Sequence, residues 1–291
     1  MKSFSIIGCG AVGRTVGRLF RETGFFELRD VLARSLESAQ LSTAFIGGGV
    51  AVGDWRELQP ADLYLIAASD DAIALCAREL AATGLVNGKT VVCHMSGALP
   101  SSVLQPVREL GAQAASIHPV KSFADPRVSV SDFAGTWCGI EGDPQAVEAV
   151  SAAFGAIGAK IFNLDPGFKT IYHAGSVLVC NYLTSLMEAG LRAYEKGGVP
   201  REVAMQVMEP LVRGTVDNIF RFGTAQALTG PIARGDAAVV SKQLDALDGW
   251  DSELAQIYRA LAGVALDLSR KRGQASEENL DAIADLLWGA K

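Results

Sequence analysis

Phe4-Ser5-Ile6-Ile7-Gly8-Cys9-Gly10-Ala11-Val12-Gly13 decides how this chain folds. A short apolar strand runs straight into a glycine turn, and an amphipathic stretch over residues 12–20 follows at once. That order sets bare backbone N–H groups and the positive end of a helix dipole against a pyrophosphate. The spacing assigns Gly8 to the tight turn, Gly10 to close approach of the ligand and Gly13 to helix–strand packing. Gly8, Cys9, Gly10, Ala11, Val12 and Gly13 are therefore candidate dinucleotide contacts. Because 31 glycines in 291 residues produce such spacing by chance now and then, the flanking strand and helix carry the inference.

A second strand over residues 28–33 ends at Arg34-Ser35, about 20 positions further on, where an NAD-binding chain offers a carboxylate to the adenosine ribose. A guanidinium and a hydroxyl suit a 2′-phosphate instead, so Arg34 and Ser35, with Arg14 nearby, point to NADP(H). Asp30, the only acid close by, falls too early in the strand.

Continuing outward, residues 36–45 read as a helix and Gly47-Gly48-Gly49 as a loose turn. The continuous apolar run Leu63-Tyr64-Leu65-Ile66-Ala67-Ala68 is that of a strand buried on both faces of a parallel sheet, closed by the helix start Ser69-Asp70-Asp71. A helix to residue 82, a strand over 90–94, a helix over 100–110 and a strand over 114–117 follow. Strands over 136–140 and 160–162 then flank a helix over 144–157. The alternation predicts an α/β doubly wound parallel sheet over residues 1–164. Past Asp165-Pro166 the apolar period is helical throughout, with long segments over 167–196, 201–221, 237–247 and 252–270 and a last one after Ser276. Residues 165–291 are thus expected to form an all-α domain, and Pro210 to kink or split its second helix.

A formal net charge of −6 with no Lys/Arg run excludes a nucleic-acid binder and a partner of anionic membranes. No apolar stretch approaches the ~18 residues of a membrane span. Five cysteines without a CxxC pair suggest neither a disulfide framework nor a metal knuckle, so a reduced, cytoplasmic setting is expected.

In an open parallel sheet ligands lie beyond the carboxyl ends of the strands. There stand Ala68-Ser69-Asp70, His94-Met95-Ser96-Gly97 and His118-Pro119-Val120-Lys121-Ser122. Ala68, Ser69 and Ser96 are candidates for the nicotinamide half of the cofactor. His118 is the first candidate for proton transfer because imidazole titrates near neutrality; Lys121 would hold a substrate carboxylate or developing anion. His94 carries the same argument more weakly, against a packed structural role. On the helix that follows, Lys169 and His173 are four apart and share a face, with Ser176, Cys180 and Asn181 continuing it. Such a stripe is either polar glue or one wall of a cleft. In Thr229-Gly230-Pro231-Ile232-Ala233-Arg234-Gly235-Asp236, Arg234 is an anion clamp or a solvated loop residue, and Asp236 a helix N-cap.

These segments together resemble the Rossmann-like proteins of predicted oxidoreductase function whose C-terminal half is a domain of unknown function, relatives of pyrroline-5-carboxylate reductase and ketopantoate reductase. The matching residues are Ile7 to Gly13, Ala33-Arg34-Ser35, His94-Met95-Ser96-Gly97, Ile117-His118-Pro119 with Ser122-Phe123, Lys169 through Tyr172-His173-Ala174 to Asn181-Tyr182-Leu183, and Leu228 to Asp236. The resemblance implies an NADP-binding Rossmann domain, a helical domain like that of 6-phosphogluconate dehydrogenase, and a homodimer interlocked through those helices. In the β-hydroxyacid dehydrogenase relatives a catalytic Lys is followed four residues later by Asn, whereas here Lys169 is followed by His173, so roles do not transfer simply.

The expectation is an NADP(H)-dependent enzyme reducing a small, anionic C=O or C=N compound in the cleft between the domains. His118 or His173 would give the proton, while Asn181, Lys169 and Arg234 would hold the substrate; no metal is expected. Two alternatives stand beside it: a non-catalytic NADP(H)-binding sensor or scaffold, and an oxidoreductase using a reduced deazaflavin.

Overall fold

A computed structural model describes residues 2–24 and 26–289. Its first part alternates β1 (Lys2–Ile7), α1 (Ala11–Thr23), β2 (Phe26–Leu32), α2 (Leu36–Ile46), β3 (Val50–Val52), β4 (Leu63–Ile66), α3 (Asp70–Ala82), β5 (Val91–His94), α4 (Gln105–Arg108), β6 (Gln113–Pro119), α5 (Pro126–Ser131), β7 (Trp137–Gly142), α6 (Pro144–Ala156) and β8 (Lys160–Asn163). The strands form one sheet in the order β3-β2-β1-β4-β5-β6-β7-β8. Its strand order reverses at β1, and the glycine turn follows β1 directly, which puts that turn at the switch point where such sheets bind ligands.

The apolar runs are continuous because the sheet is covered on both sides. Phe4 and Ile6 of β1 and Leu63 and Leu65 of β4 pack with Val16, Phe20 and Phe154 on one face. Ile7, Tyr64 and Ile66, at the alternate positions, pack with Leu32, Ile73 and Ala77 on the other. Phe20 centres the first layer, edge-on to Phe4 at 5.6 Å and to Phe154 at 5.2 Å. Burying each such side chain contributes about 1.5–3 kcal/mol.

Three features of this part differ from the sequence reading. The sheet is not wholly parallel: β7 runs antiparallel to β6, because the segment between them, carrying α5, stays at one end of the sheet instead of crossing it. The edge strand β3 pairs with β2, and it is too short, at three residues, to show a period. The helix expected over 100–110 is a 3-10 turn (Ser101–Leu104) followed by the single turn α4.

All-helical structure follows: α7 (Lys169–Val179), α8 (Asn181–Lys196), α9 (Arg201–Phe222), α10 (Thr224–Ala227), α11 (Pro231–Arg234), α12 (Ala237–Asp248), α13 (Ser252–Arg272) and α14 (Glu277–Trp288). The segment expected as one helix breaks at Cys180, whose φ of −112° departs from helical geometry. Pro210 does not split α9. The carbonyl it deprives of a partner belongs to Gln206, an exposed residue on the solvent side of the helix.

The chain divides into two compact units, Met1–Leu183 and Thr184–Lys291. The division falls beyond the expected 164/165 boundary. Strand–helix alternation does end there, but Lys169 of α7 is fully buried in the first unit and ties that helix to it. The second unit has its own core, in which Ile232, Val240, Leu244, Leu266, Leu280 and Ile283 pack together. Among the described residues no helix is long and apolar enough to cross a membrane.

Candidate active site

The glycine turn is built as its spacing requires. Gly8 has φ +76°, and a Cβ there would lie 2.8 Å from the Ala68 backbone nitrogen. A Cβ on Gly13 would meet Ala67 Cβ at 2.8 Å, so its hydrogen lets α1 close on β4. Gly10 faces open space, with nothing within 4 Å of such a carbon. Here the turn leaves room for a ligand, and α1 starts without a side-chain cap on its free N–H groups. Cys9 lies beneath the turn, and burial pushes its thiol up to about 11, so it stays protonated.

Gly8 N–H donates to Leu32 O at 2.8 Å and so fixes the end of β2 beside the turn. Arg34, two residues on, is exposed and makes no hydrogen bond or ion pair among the described residues. Ser35 caps α2 by accepting from Ser38 N at 3.2 Å, and Arg14 Nε reaches Ser42 Oγ at 3.1 Å. Asp30 is fully buried and bonded to Ser5 Oγ and Gln59 N, out of reach of a ribose. An unpaired cation thus stands at the end of β2, with the exposed Glu37 in the first turn of α2 beyond it, next to the open glycine backbone that follows β1.

A cavity of about 280 Å³ lies beyond the strand ends, lined in part by Val12, Ala68, Ser96, Gly97, His118 and His173. Gly97 is its pivot: a Cβ there would lie 2.3 Å from His173 Nδ1 and 2.8 Å from His118 Nε2. The two imidazoles meet edge to face at 5.4 Å. His118 Nδ1 bonds the Tyr172 hydroxyl at 2.8 Å. Burial, then the nearby His173 and Lys169, pull His118 down to about 4, while burial raises Tyr172 to about 12. Both are therefore neutral at physiological pH. If the phenol donates to Nδ1, His118 carries its proton on Nε2, beside Gly97; if Nδ1–H donates to the phenol oxygen, Nε2 is an acceptor. The expectation that His118 titrates near neutrality is thus corrected by its burial.

His94 is structural. Its Nε2 meets Pro100 O at 3.3 Å and its Nδ1 accepts from Ser96 N at 3.2 Å, and burial pulls it down to about 3. Lys169 is corrected from substrate ligand to buried strut. With no side-chain exposure, its ammonium donates to Ser96 O at 2.9 Å, Leu99 O at 2.6 Å and Ser116 Oγ, with Glu141 Oε1 at 3.7 Å. Burial lowers it to about 8 against the pull of Glu141, so it remains charged at neutral pH. The Ser96 hydroxyl accepts from Ala98 N and Leu99 N, which closes its turn.

Lys121 lines the cavity but is paired with Asp132 at 2.8 Å. Ser69 is exposed at the start of α3, without a side-chain cap bond. Asn181 is exposed at the start of α8 and is not among the cavity residues. Arg234, in the second unit, is exposed at the end of α11, and Asp236 caps α12 by accepting from Val239 N at 3.2 Å. Among the described residues no cluster of three or more His, Cys, Asp or Glu could hold a metal. Sequence reasoning missed the roles of Tyr172, Ser116 and Glu141. The first could have been suspected from its place beside His173, and the last from the need of a buried lysine for a counter-charge.

Residues 2–119 match the family described as Rossmann-like domain, and residues 136–264 match a domain of unknown function, DUF2520. Among curated proteins none matches. Similar solved structures include a "putative NADP oxidoreductase" from Bacteroides fragilis, at 20% identity over 91% of this chain and 97% of that one, with a TM-score of 0.74. Protein TM1727 from Thermotoga maritima is 24% identical over 93% and 99%, with a TM-score of 0.72. The 1-pyrroline-5-carboxylate reductase of Streptococcus pyogenes is 14% identical over 97% and 98%, with a TM-score of 0.59. At these identities the likeness is one of fold. The two matches follow one another along the chain in the order that its own sequence resembles.

Proposed function

We propose that this protein is an NADP(H)-dependent oxidoreductase that reduces a small, anionic C=O or C=N compound by hydride transfer. The observation that carries the reading is His118, held neutral and oriented by Tyr172, on a cavity it shares with Val12 and Ala68 beside the glycine turn. Fold relatives named as an NADP oxidoreductase and as a pyrroline-5-carboxylate reductase support the class. The free N–H groups at the start of α1 hold the pyrophosphate and Arg34 the 2′-phosphate. The bound nicotinamide supplies the hydride. His118 Nε2–H hydrogen-bonds the oxygen or nitrogen as charge builds on it and stays neutral, as a neutral imidazole can, while the proton that completes the product comes from water.

Fluorescence titration of NADPH against NADH tests the cofactor; equal affinities, or an NADPH affinity unchanged in Arg34→Asp, refute it. Screening keto acids and cyclic imines for NADPH consumption tests catalysis. Turnover unaffected in His118→Ala removes His118 from the reaction.

A homodimer formed through the helices of the second unit belongs to the same reading. Val203, Val207 and Leu211 recur every fourth residue along α9 and are 46%, 47% and 59% exposed, an apolar ridge that suits a second copy of itself. All five cysteines are free, which supports a reducing, cytoplasmic compartment.

A further inference from the structure

The reduction leaves Lys169 unused, although it is a fully buried cation one helical turn from His173. Three N–H groups meet three acceptors, Ser96 O, Leu99 O and Ser116 Oγ, so none remains for a ligand. Those acceptors are informative in their placement. Ser96 and Leu99 bracket Gly97 in the irregular segment after β5, a stretch no strand or helix holds. Ser116 stands two residues before His118, on the same face of β6. Lys169 shares its face of α7 with His173. One side chain thus ties together the three segments that bring Gly97, His118 and His173 to a common point.

Burying an ammonium is costly unless it is paired and hydrogen-bonded. Glu141 supplies the pairing, itself held by Ser101 N and Ser101 Oγ at 2.7 Å each. A hydrocarbon side chain would fill the space without fixing the segments around it.

We propose that Lys169, with Glu141 as its counter-charge, is the positioning residue of this site: it locks Gly97, His118 and His173 together through Ser96, Leu99 and Ser116. Its catalytic consequence rests on the reductase reading, whereas its geometric consequence does not.

The chain has three histidines, so their imidazole nitrogen resonances can be assigned one by one. The double variant Lys169→Met/Glu141→Gln removes both charges together and leaves neither buried alone. It is expected to unfold cooperatively and to bind NADPH as the parent does. Its His118 nitrogens are expected to move from a single fixed tautomer towards averaged shifts. With a substrate in hand, kcat is expected to fall about 100-fold with KM little changed, as for a misplacement near 1 Å. A folded double variant with parental His118 shifts overturns the proposal. So does one that cannot fold, since the pair then serves the fold. Absence of any turnover by the parent removes the reductase reading and leaves the nitrogen spectrum to decide this one.

Discussion

Replacing Gly97 by alanine tests the site at its tightest point. The added carbon would stand 2.3 Å from His173 Nδ1, and 2.8 and 2.9 Å from His118 Nε2 and Cε1, where ordinary contact begins at 3.4 Å. A histidine must therefore retreat by roughly 1 Å. All three atoms belong to side chains rather than backbone, so the loss comes from off-rotamer imidazoles and a weakened His118–Tyr172 hydrogen bond. Each of these costs about 1 kcal/mol, giving an expected destabilisation of about 1–3 kcal/mol. A displacement of that size at a reacting group lowers kcat by roughly 100-fold. Urea unfolding and steady-state NADPH consumption measure the two effects. Gly10→Ala is the control, because its added carbon meets no protein atom within 4 Å. It should keep full stability and lose NADPH affinity. A Gly97→Ala protein with parental kcat and an unaltered His118 nitrogen spectrum would refute the convergence of the two imidazoles.

Arg34→Asp removes a charge-assisted contact of about 1.5–3 kcal/mol and should weaken NADPH binding by roughly 10- to 150-fold while leaving NADH binding nearly unchanged, as read by fluorescence titration. Tyr172→Phe leaves His118 Nδ1 without its partner and should lower kcat by about tenfold with NADPH affinity retained; equal rates in the two proteins would detach the phenol from the site. Acid should destabilise the first unit. His94 and His118 lie near 3 and 4 when folded but near 6.5 when unfolded, so the unfolded chain binds more protons between these values. Stability is then full above about pH 6.5 and declines as pH falls towards 3, by a few kcal/mol, and calorimetry showing the same melting temperature at pH 7.5 and pH 4.5 would contradict it. Val207→Glu/Leu211→Glu should turn a dimer into a monomer in sedimentation; an unchanged mass would place the interface elsewhere.

The sequence by itself determined the elements whose signal is local. The β1–turn–α1 unit, the twice-buried run at β4 and the cap at Asp236 are each written within about ten residues, because strand period, turn conformation and capping depend on near neighbours. It also brought His118 and His173 forward, from a strand end and a helical stripe, and both line the same cavity. The antiparallel turn into β7, the three-residue β3 and the break at Cys180 were not legible, for they follow from which segments find each other across the sheet or from a local bend without a marker residue. The meaning of individual polar residues was decided by tertiary structure alone. Lys169 looked like a substrate ligand, and His118 like a group titrating near neutrality, until burial and distant partners were in place. Glu141 and Ser116 lie 28 and 53 residues from Lys169 in sequence, and His118 lies 54 from Tyr172. A side chain's charge and its free donors depend on what surrounds it in space, and no spacing along the chain encodes that.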